Sequence, residues 1–239
     1  MKRFLIGFML FWSAWGWGQK SGIVEYQYIY TPRFMDTTSS LVPKKANYYV
    51  DKAAEYAQQH KYILKFNPDE SYYYVEPAMA ADEVEDPVAY HFSLMIMGHG
   101  VFYQNRPEHI QLNQKESGGQ LFLIRDSIRN DWTITYESKN IGGFKCYKAT
   151  KKCPCGKDIV AWFTPEIPVP FGPAGYNGTP GLILELHYFK HTLRAKRIKL
   201  LNKKLSLPRP HEGKPVTLAQ YKQLMREERQ RLIRQSLQH

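Results

Sequence analysis

Short runs of alternating apolar and polar residues, rich in Ile, Val and Tyr, recur along most of the chain and are cut apart by turn residues. Residues 22–30 (GIVEYQYIY), 60–66 (HKYILKF), 71–75 (SYYYV), 131–137 (DWTITYE), 143–150 (GFKCYKAT), 158–164 (DIVAWFT), 182–188 and 192–200 all follow this pattern. Further strands are expected at 101–104, 109–114 and 121–126, with a Ser117-Gly118-Gly119 turn between the last two. A two-residue period buries one face of a sheet and wets the other, so the spacing predicts a mainly β chain. The expected architecture is a curved, partly closed antiparallel sheet of about ten strands. Two stretches, 43–59 and 87–97, suit helices that cover one sheet face.

The N-terminus sets the expected compartment. Lys2 and Arg3 precede an apolar run at 4–12 (FLIGFMLFW), and Gly16 and Gly18 stand at positions −3 and −1 before Gln19. That order predicts a secretory signal peptide over 1–18. The run is shorter than the roughly 20 apolar residues a spanning helix needs. An exported chain in the periplasm, or at the periplasmic face of the outer membrane, is therefore expected.

Charge divides the chain. Residues 188–239 hold 14 Lys and Arg against 3 acids, whereas residues 19–187 hold 17 against 19. Export argues against nucleic acid as the partner of this basic end. Anionic lipid or an acidic envelope protein fits the compartment. The expected layout is a β domain over 19–204, a proline-rich linker over 205–216 and a basic helix over 217–239, with Thr217 at its N-cap. Leu218, Tyr221, Met225 and Leu232 mark one face of that helix, interrupted by Glu228.

No phosphate-binding loop, nucleophile elbow or zinc-protease motif is present in the sequence, and no catalytic residue or cofactor is assigned. Cys146, Cys153 and Cys155 admit a disulfide with one odd thiol. They also admit a soft-metal site on Cys153 and Cys155. His187 and His191 lie about 13 Å apart on a continuous strand and approach only if the chain turns between them. The acidic run 82–86 lacks a fixed ligand spacing and reads as a solvated loop.

The most informative stretch runs from Trp162 to Leu186. Pro165, Pro168, Pro170 and Pro173, with Gly172, Gly175 and Gly178, exclude a sheet interior there. A stiff crossover with tight turns is expected, followed by a buried strand after Gly181. Such a crossover serves either as a clasp over the sheet or as a contact surface. Its candidate contact residues are Trp162, Pro165, Glu166, Pro168, Gly172, Pro173, Gly178, Pro180 and Gly181.

These residues carry a family likeness. Lys148-Ala149-Thr150, the run Ala161-Trp162-Phe163-Thr164-Pro165-Glu166-Ile167-Pro168, Gly172-Pro173, and Gly178-Thr179-Pro180-Gly181-Leu182-Ile183-Leu184-Glu185 together resemble the signature of the GLPGLI family of exported proteins. Thr179 stands where the family name has Leu, and the Cys153-Pro154-Cys155 turn is not a family feature. The resemblance implies a Gram-negative envelope protein, often associated with TonB-dependent outer-membrane transport, with no established catalytic residues. A binding or accessory role is expected, towards an outer-membrane transporter, another envelope protein, an apolar ligand lined by the Tyr-rich strands, or anionic lipid. A metal-handling protein using Cys153 and Cys155, and an envelope hydrolase, are the alternatives.

Overall fold

The computed structural model describes residues 21–31, 44–78, 84–153 and 156–236, so the expected signal peptide and Cys155 lie outside the described residues. Strand β1 (Ser21–Tyr30) is followed by helix α1 (Lys44–Ala57), the hairpin of β2 (Lys61–Phe66) and β3 (Glu70–Glu76), and helix α2 (Pro87–Met95). Five strands then run in succession: β4 (Val101–Asn105), β5 (Ile110–Ser117), β6 (Gln120–Ser127), β7 (Thr133–Ile141) and β8 (Phe144–Lys152). The chain closes with β9 (Asp158–Thr164), β10 (Leu182–Tyr188), β11 (His191–Leu201), β12 (Lys214–Thr217) and helix α3 (Leu218–Ser236).

All twelve strands belong to one sheet, in the order β12-β6-β5-β4-β3-β2-β1-β11-β10-β9-β8-β7. Every neighbouring pair is antiparallel except β12 on β6. The edges β12 and β7 do not pair, so the sheet is open. It is nonetheless strongly curled, and the connectivity requires it. β6 and β7 stand ten places apart in the sheet order, which a flat sheet would stretch to about 48 Å. Only residues 128–132 join them, a reach of roughly 20 Å. The sheet must curve until its two ends nearly meet.

The space inside the curl is the core. Val24, Tyr26, Tyr62, Leu64, Phe66, Tyr73 and Leu193 point into it and are buried. The crossover 165–181 fills the rest, with Ile167, Val169 and Phe171 buried among the inward strand residues. Tyr26, Tyr62 and Tyr73 are satisfied by the chain itself: their hydroxyls donate to the carbonyls of Ile183 (2.6 Å), Ala57 (2.9 Å) and Met97 (2.7 Å). Buried phenols need partners, and here β10 and the ends of the two helices supply them.

Residues 205–213, within the expected linker over 205–216, form no regular element, and the strand β12 begins at Lys214. The chain after β11 lies on the outer face of the sheet. Asn67 Nδ2 donates to Leu205 O (2.9 Å), Lys204 pairs with Asp69 (2.6 Å), and the Arg209 guanidinium forks onto both Glu108 oxygens (2.7 and 2.9 Å). Lys214–Thr217 then forms β12 in parallel with β6. Its Pro215 is tolerated because an edge strand leaves one side of its ladder unpaired. Thr217 caps α3: its Oγ1 accepts from Gln220 N (3.2 Å) while its own N–H donates to Gln220 Oε1 (2.8 Å). The first turns of α3 dock on the sheet through Tyr221 against Phe122.

Candidate functional site

Three places deserve a chemical reading: a buried carboxylate, a polar cleft beside the crossover, and an apolar groove between two helices.

Glu185 stands in an otherwise apolar strand segment, LILELHY, with its side chain wholly buried. Lys139 Nζ donates to Oε1 (2.6 Å), Arg194 Nε donates to Oε2, and His187 Nε2 bonds Oε1. Burial alone would raise its pKa, but the hydrogen bonds from His187, Lys139 and Arg194 outweigh it and hold the carboxyl at about 2. Lys139 also sits 4.2 Å over the Trp162 ring. Thr192 Oγ1 lies 2.8 Å from His187 Nδ1, giving a hydroxyl–imidazole–carboxylate line. Thr192 is buried, however, and the carboxylate already holds two other cations. Lys139, His187 and Arg194, each partly exposed, surround the buried carboxylate in one hydrogen-bonded network. His191 does not join it. The chain turns at Phe189 (φ 58), but Thr192 sits opposite His187 and His191 opposite Tyr188, so the two histidines point to opposite faces.

The polar cleft, about 520 Å³, is lined by Gln111, Asp126, Arg129, Lys151, Tyr176 and Asn177, among others. Its charges are mutually paired: Arg129 with Asp126 (3.3 Å) and Lys151 with Asp131 (3.1 Å), Lys151 also lying 4.4 Å over the Trp132 ring. Asn177 holds the wall together. Its Nδ2 donates to Gln111 Oε1 (2.8 Å), its Oδ1 accepts from Arg129 N (3.2 Å), and its carbonyl accepts from Trp132 Nε1 (2.7 Å). Asn177-Gly178-Thr179 also matches the pattern of a glycosylation sequon, but its asparagine is buried and committed to the fold.

The candidate contact residues divide accordingly. Pro165, Glu166, Pro168 and Pro180 are exposed, and Glu166 Oε1 accepts from Lys145 N (3.0 Å). Trp162 and Gly178 are half-buried, while Gly172, Pro173 and Gly181 are buried. A Cβ on Gly181 would stand 2.0 Å from Thr164 O, and one on Gly178 2.0 Å from Arg129 O. Gly178 also has φ +90, where only glycine is comfortable. The crossover therefore packs against backbone at Gly178 and Gly181 and presents Pro165, Glu166, Pro168 and Pro180 at its surface.

Cys153 is disulfide-bonded, and in that form it offers a metal no thiolate. Cys146 is free and buried. Cys146 and Cys153 are seven steps of extended strand apart, about 23 Å, so Cys146 stands far from Cys153. Among the described residues no group of three or more His, Cys, Asp or Glu side chains is placed to hold a metal ion. Glu85 and Asp86, at the end of the acidic run, serve the fold: Glu85 pairs with Lys52, and Asp86 caps α2 by accepting from Ala89 N (2.9 Å).

The apolar groove, about 460 Å³, is walled by Tyr49, Val50 and Ala53 of α1 and by Phe92, Met95 and Ile96 at α2, with His191 at its base. His191 is stacked between the rings of Tyr28 and Tyr30, each 5.8 Å away, and its Nδ1 is bonded to Tyr28 OH (2.6 Å). Burial, then the charge of Lys190, lowers its pKa and keeps the ring neutral at the groove floor. Val50 (46% exposed), Phe92 (50%) and Met95 (42%) stand open at the rim, with Tyr48 and Val88 on the same two helices. Most of the exposed large apolar side chains of the described residues gather on this helix pair. Sequence reasoning missed the groove, because 43–59 and 87–97 were read as helices spent on covering the sheet. The signal was there in Val50, Phe92 and Met95, three apolar residues in excess of the inward stripes.

A family model described as a protein of unknown function (Porph_ging) matches residues 151–185, which contain Cys153, β9, the crossover and Glu185. No curated protein matches the chain. Two crystal structures of PNGF-II resemble it in fold. One has a TM-score of 0.55 at 14% identity over 85% of this chain, the other 0.53 at 15% over 86%. The chain spans about a third of the PNGF-II chain, 32% in each case. At that identity the likeness concerns the fold alone. Among the described residues no helix is long and apolar enough to cross a membrane.

Proposed function

We propose that the chain is an exported binding or accessory module of the cell envelope, and that its α1–α2 groove takes an apolar, helix-shaped segment of a partner protein. The observation that carries the reading is the exposure of Val50, Phe92 and Met95 around one apolar groove. Contiguous apolar surface of this kind marks interaction sites on soluble proteins. The pair of helices supplies two walls of a helix-in-groove seat. The basic-apolar-small order of the first 18 residues supports export. The GLPGLI-like signature supports an envelope setting beside outer-membrane transport. An enzymatic role finds no support in the Glu185 network, whose hydroxyl is buried.

The test is site-specific photocrosslinking in cells, followed by fractionation. A photoreactive residue replacing Met95 should give a discrete crosslinked species in the envelope fraction. The same residue replacing Lys199, on the outer face of β11, should give none. Equal crosslinking from both positions contradicts a docking groove, and a wholly cytoplasmic protein with an intact Met1 contradicts export.

A further inference from the structure

Residues 91–99 read HFSLMIMGH, a run that begins and ends in histidine with two methionines between. His91 stands on the exposed face of α2, and His99, half-buried, follows the turn after the helix. Folding brings the two imidazoles together: their ring centroids lie 6.3 Å apart, with 75° between the planes. Among the described residues neither ring takes part in a hydrogen bond, whereas His60, His187 and His191 are each bonded in place. Met95 follows His91 at i + 4, so the two are neighbours on one face of α2, and Met95 is exposed. Met97 is buried in the core and takes no part.

The spacing and the donor types select a kind of ligand. Two imidazoles with centres at this distance bring facing nitrogens to about 4 Å, a gap that two metal–nitrogen bonds of about 2.0 Å in line would span. The charged groups that act on His99 come from β5, Lys115 and Glu116, with opposite signs. Burial, then Lys115 and His91, lowers the His99 pKa, so this ring is neutral at pH 7, as a metal ligand must be. Glu116 does not complete a set of three, since no group of three His, Cys, Asp or Glu side chains is placed for a metal among the described residues. The donors are therefore two imidazoles and a thioether, all uncharged. Thioether sulfur and imidazole nitrogen without carboxylate suit a soft ion. With Lys115 near and no ligating anion, a monovalent ion also meets half the repulsion of a divalent one.

We infer that His91, His99 and Met95 form a binding site for cuprous copper, Cu(I), held by two imidazole nitrogens and one thioether sulfur. The site stands at the rim of the α1–α2 groove, because Met95 also lines that groove, but it does not depend on what the groove takes.

Anaerobic titration of the untagged full chain with Cu(I), against graded bicinchoninate and with ascorbate as the only reductant, tests it. The parent should take up one equivalent, with two nitrogen neighbours and one sulfur neighbour in the copper X-ray absorption spectrum. His91→Ala and His99→Ala should each weaken uptake at least about a hundredfold. Met95→Leu, which conserves volume, should weaken it about tenfold and remove the sulfur neighbour. His91→Ala and Met95→Leu should melt like the parent, since both side chains are exposed. Cys146→Ser should bind as the parent does, because Cys146 is buried. Zinc should bind at least about a hundredfold more weakly than Cu(I). A parent that takes up no copper at the lowest competitor concentration overturns the inference. So does uptake that survives both histidine replacements, uptake abolished by Cys146→Ser, a sulfur neighbour that persists in Met95→Leu, or zinc held as tightly as copper.

Discussion

Tyr26 on the first strand donates its hydroxyl proton to the main-chain carbonyl of Ile183, 157 residues later, at 2.6 Å. Both ends of this bond are buried, so it ties β1 to the exit of the crossover inside the curled sheet. Tyr26→Phe removes the donor and keeps the ring. It leaves a buried carbonyl unsatisfied, which should cost about 1–3 kcal/mol. Chemical denaturation should show a lower midpoint with an unchanged slope.

The crossover is bound through its glycines. Gly181→Val places a side chain against Thr164 O, 2.0 Å from the new Cβ. The backbone must shift, at a cost of about 2 kcal/mol or more. Glu166→Ala is the companion variant: Glu166 is exposed, so its loss should stay within about 0.5–1 kcal/mol. Paired thermal melts check both; equal melting temperatures for Gly181→Val and the parent contradict the packing described.

Acid should unfold the protein in two stages. Burial lowers the pKa values of His60, His99 and His191 below the ordinary histidine value of about 6.5. The unfolded chain therefore binds more protons, and stability falls as pH drops below about 6.5. The Glu185 carboxyl is held at about 2, below its ordinary value of 4.5. Its contribution is intact above about 4.5 and is lost as pH falls toward 2. Glu185→Gln should remove the lower stage and cost roughly 2–4 kcal/mol at neutral pH, because Lys139 and Arg194 lose their common anionic partner. A melting temperature independent of pH between 7 and 2 contradicts both assignments.

Cys146 is buried, and burial pushes its thiol up to about 11. It should resist thiol reagents in the native protein, since the thiolate is the reactive form. Denaturation without reductant should release one thiol per chain. A rapidly reacting native thiol, or three thiols on denaturation, contradicts the disulfide at Cys153.

The strands were legible because period-two alternation is a local signal. The runs 158–164 and 182–188 coincide with β9 and β10. β12 was not, because Lys214–Thr217 contains Pro215 and becomes a strand only through the edge that β6 offers. The curl was only partly legible. It follows from the five-residue link between β6 and β7, whose meaning appears once strand order is known. Within the crossover, the proline and glycine spacing pointed to rigid irregular backbone, but not to its burial inside the sheet. Glu185 looked like one polar residue in an apolar strand, since Lys139 is 46 residues away and meets it only through folding. The groove was hidden for the same reason: α1 and α2 are separated by β2 and β3, and periodicity within each helix does not reveal the face they leave open together.

The groove decides the functional reading, and dye titration tests it directly. The native protein should bind an environment-sensitive naphthalene dye saturably, with a blue-shifted emission, at a single site. Val50→Asp combined with Phe92→Asp should weaken that binding at least about tenfold while leaving the melting temperature in place, because both side chains are exposed. Native protein that binds no dye, or a double variant that binds it as well as the parent, would contradict an apolar docking groove between α1 and α2.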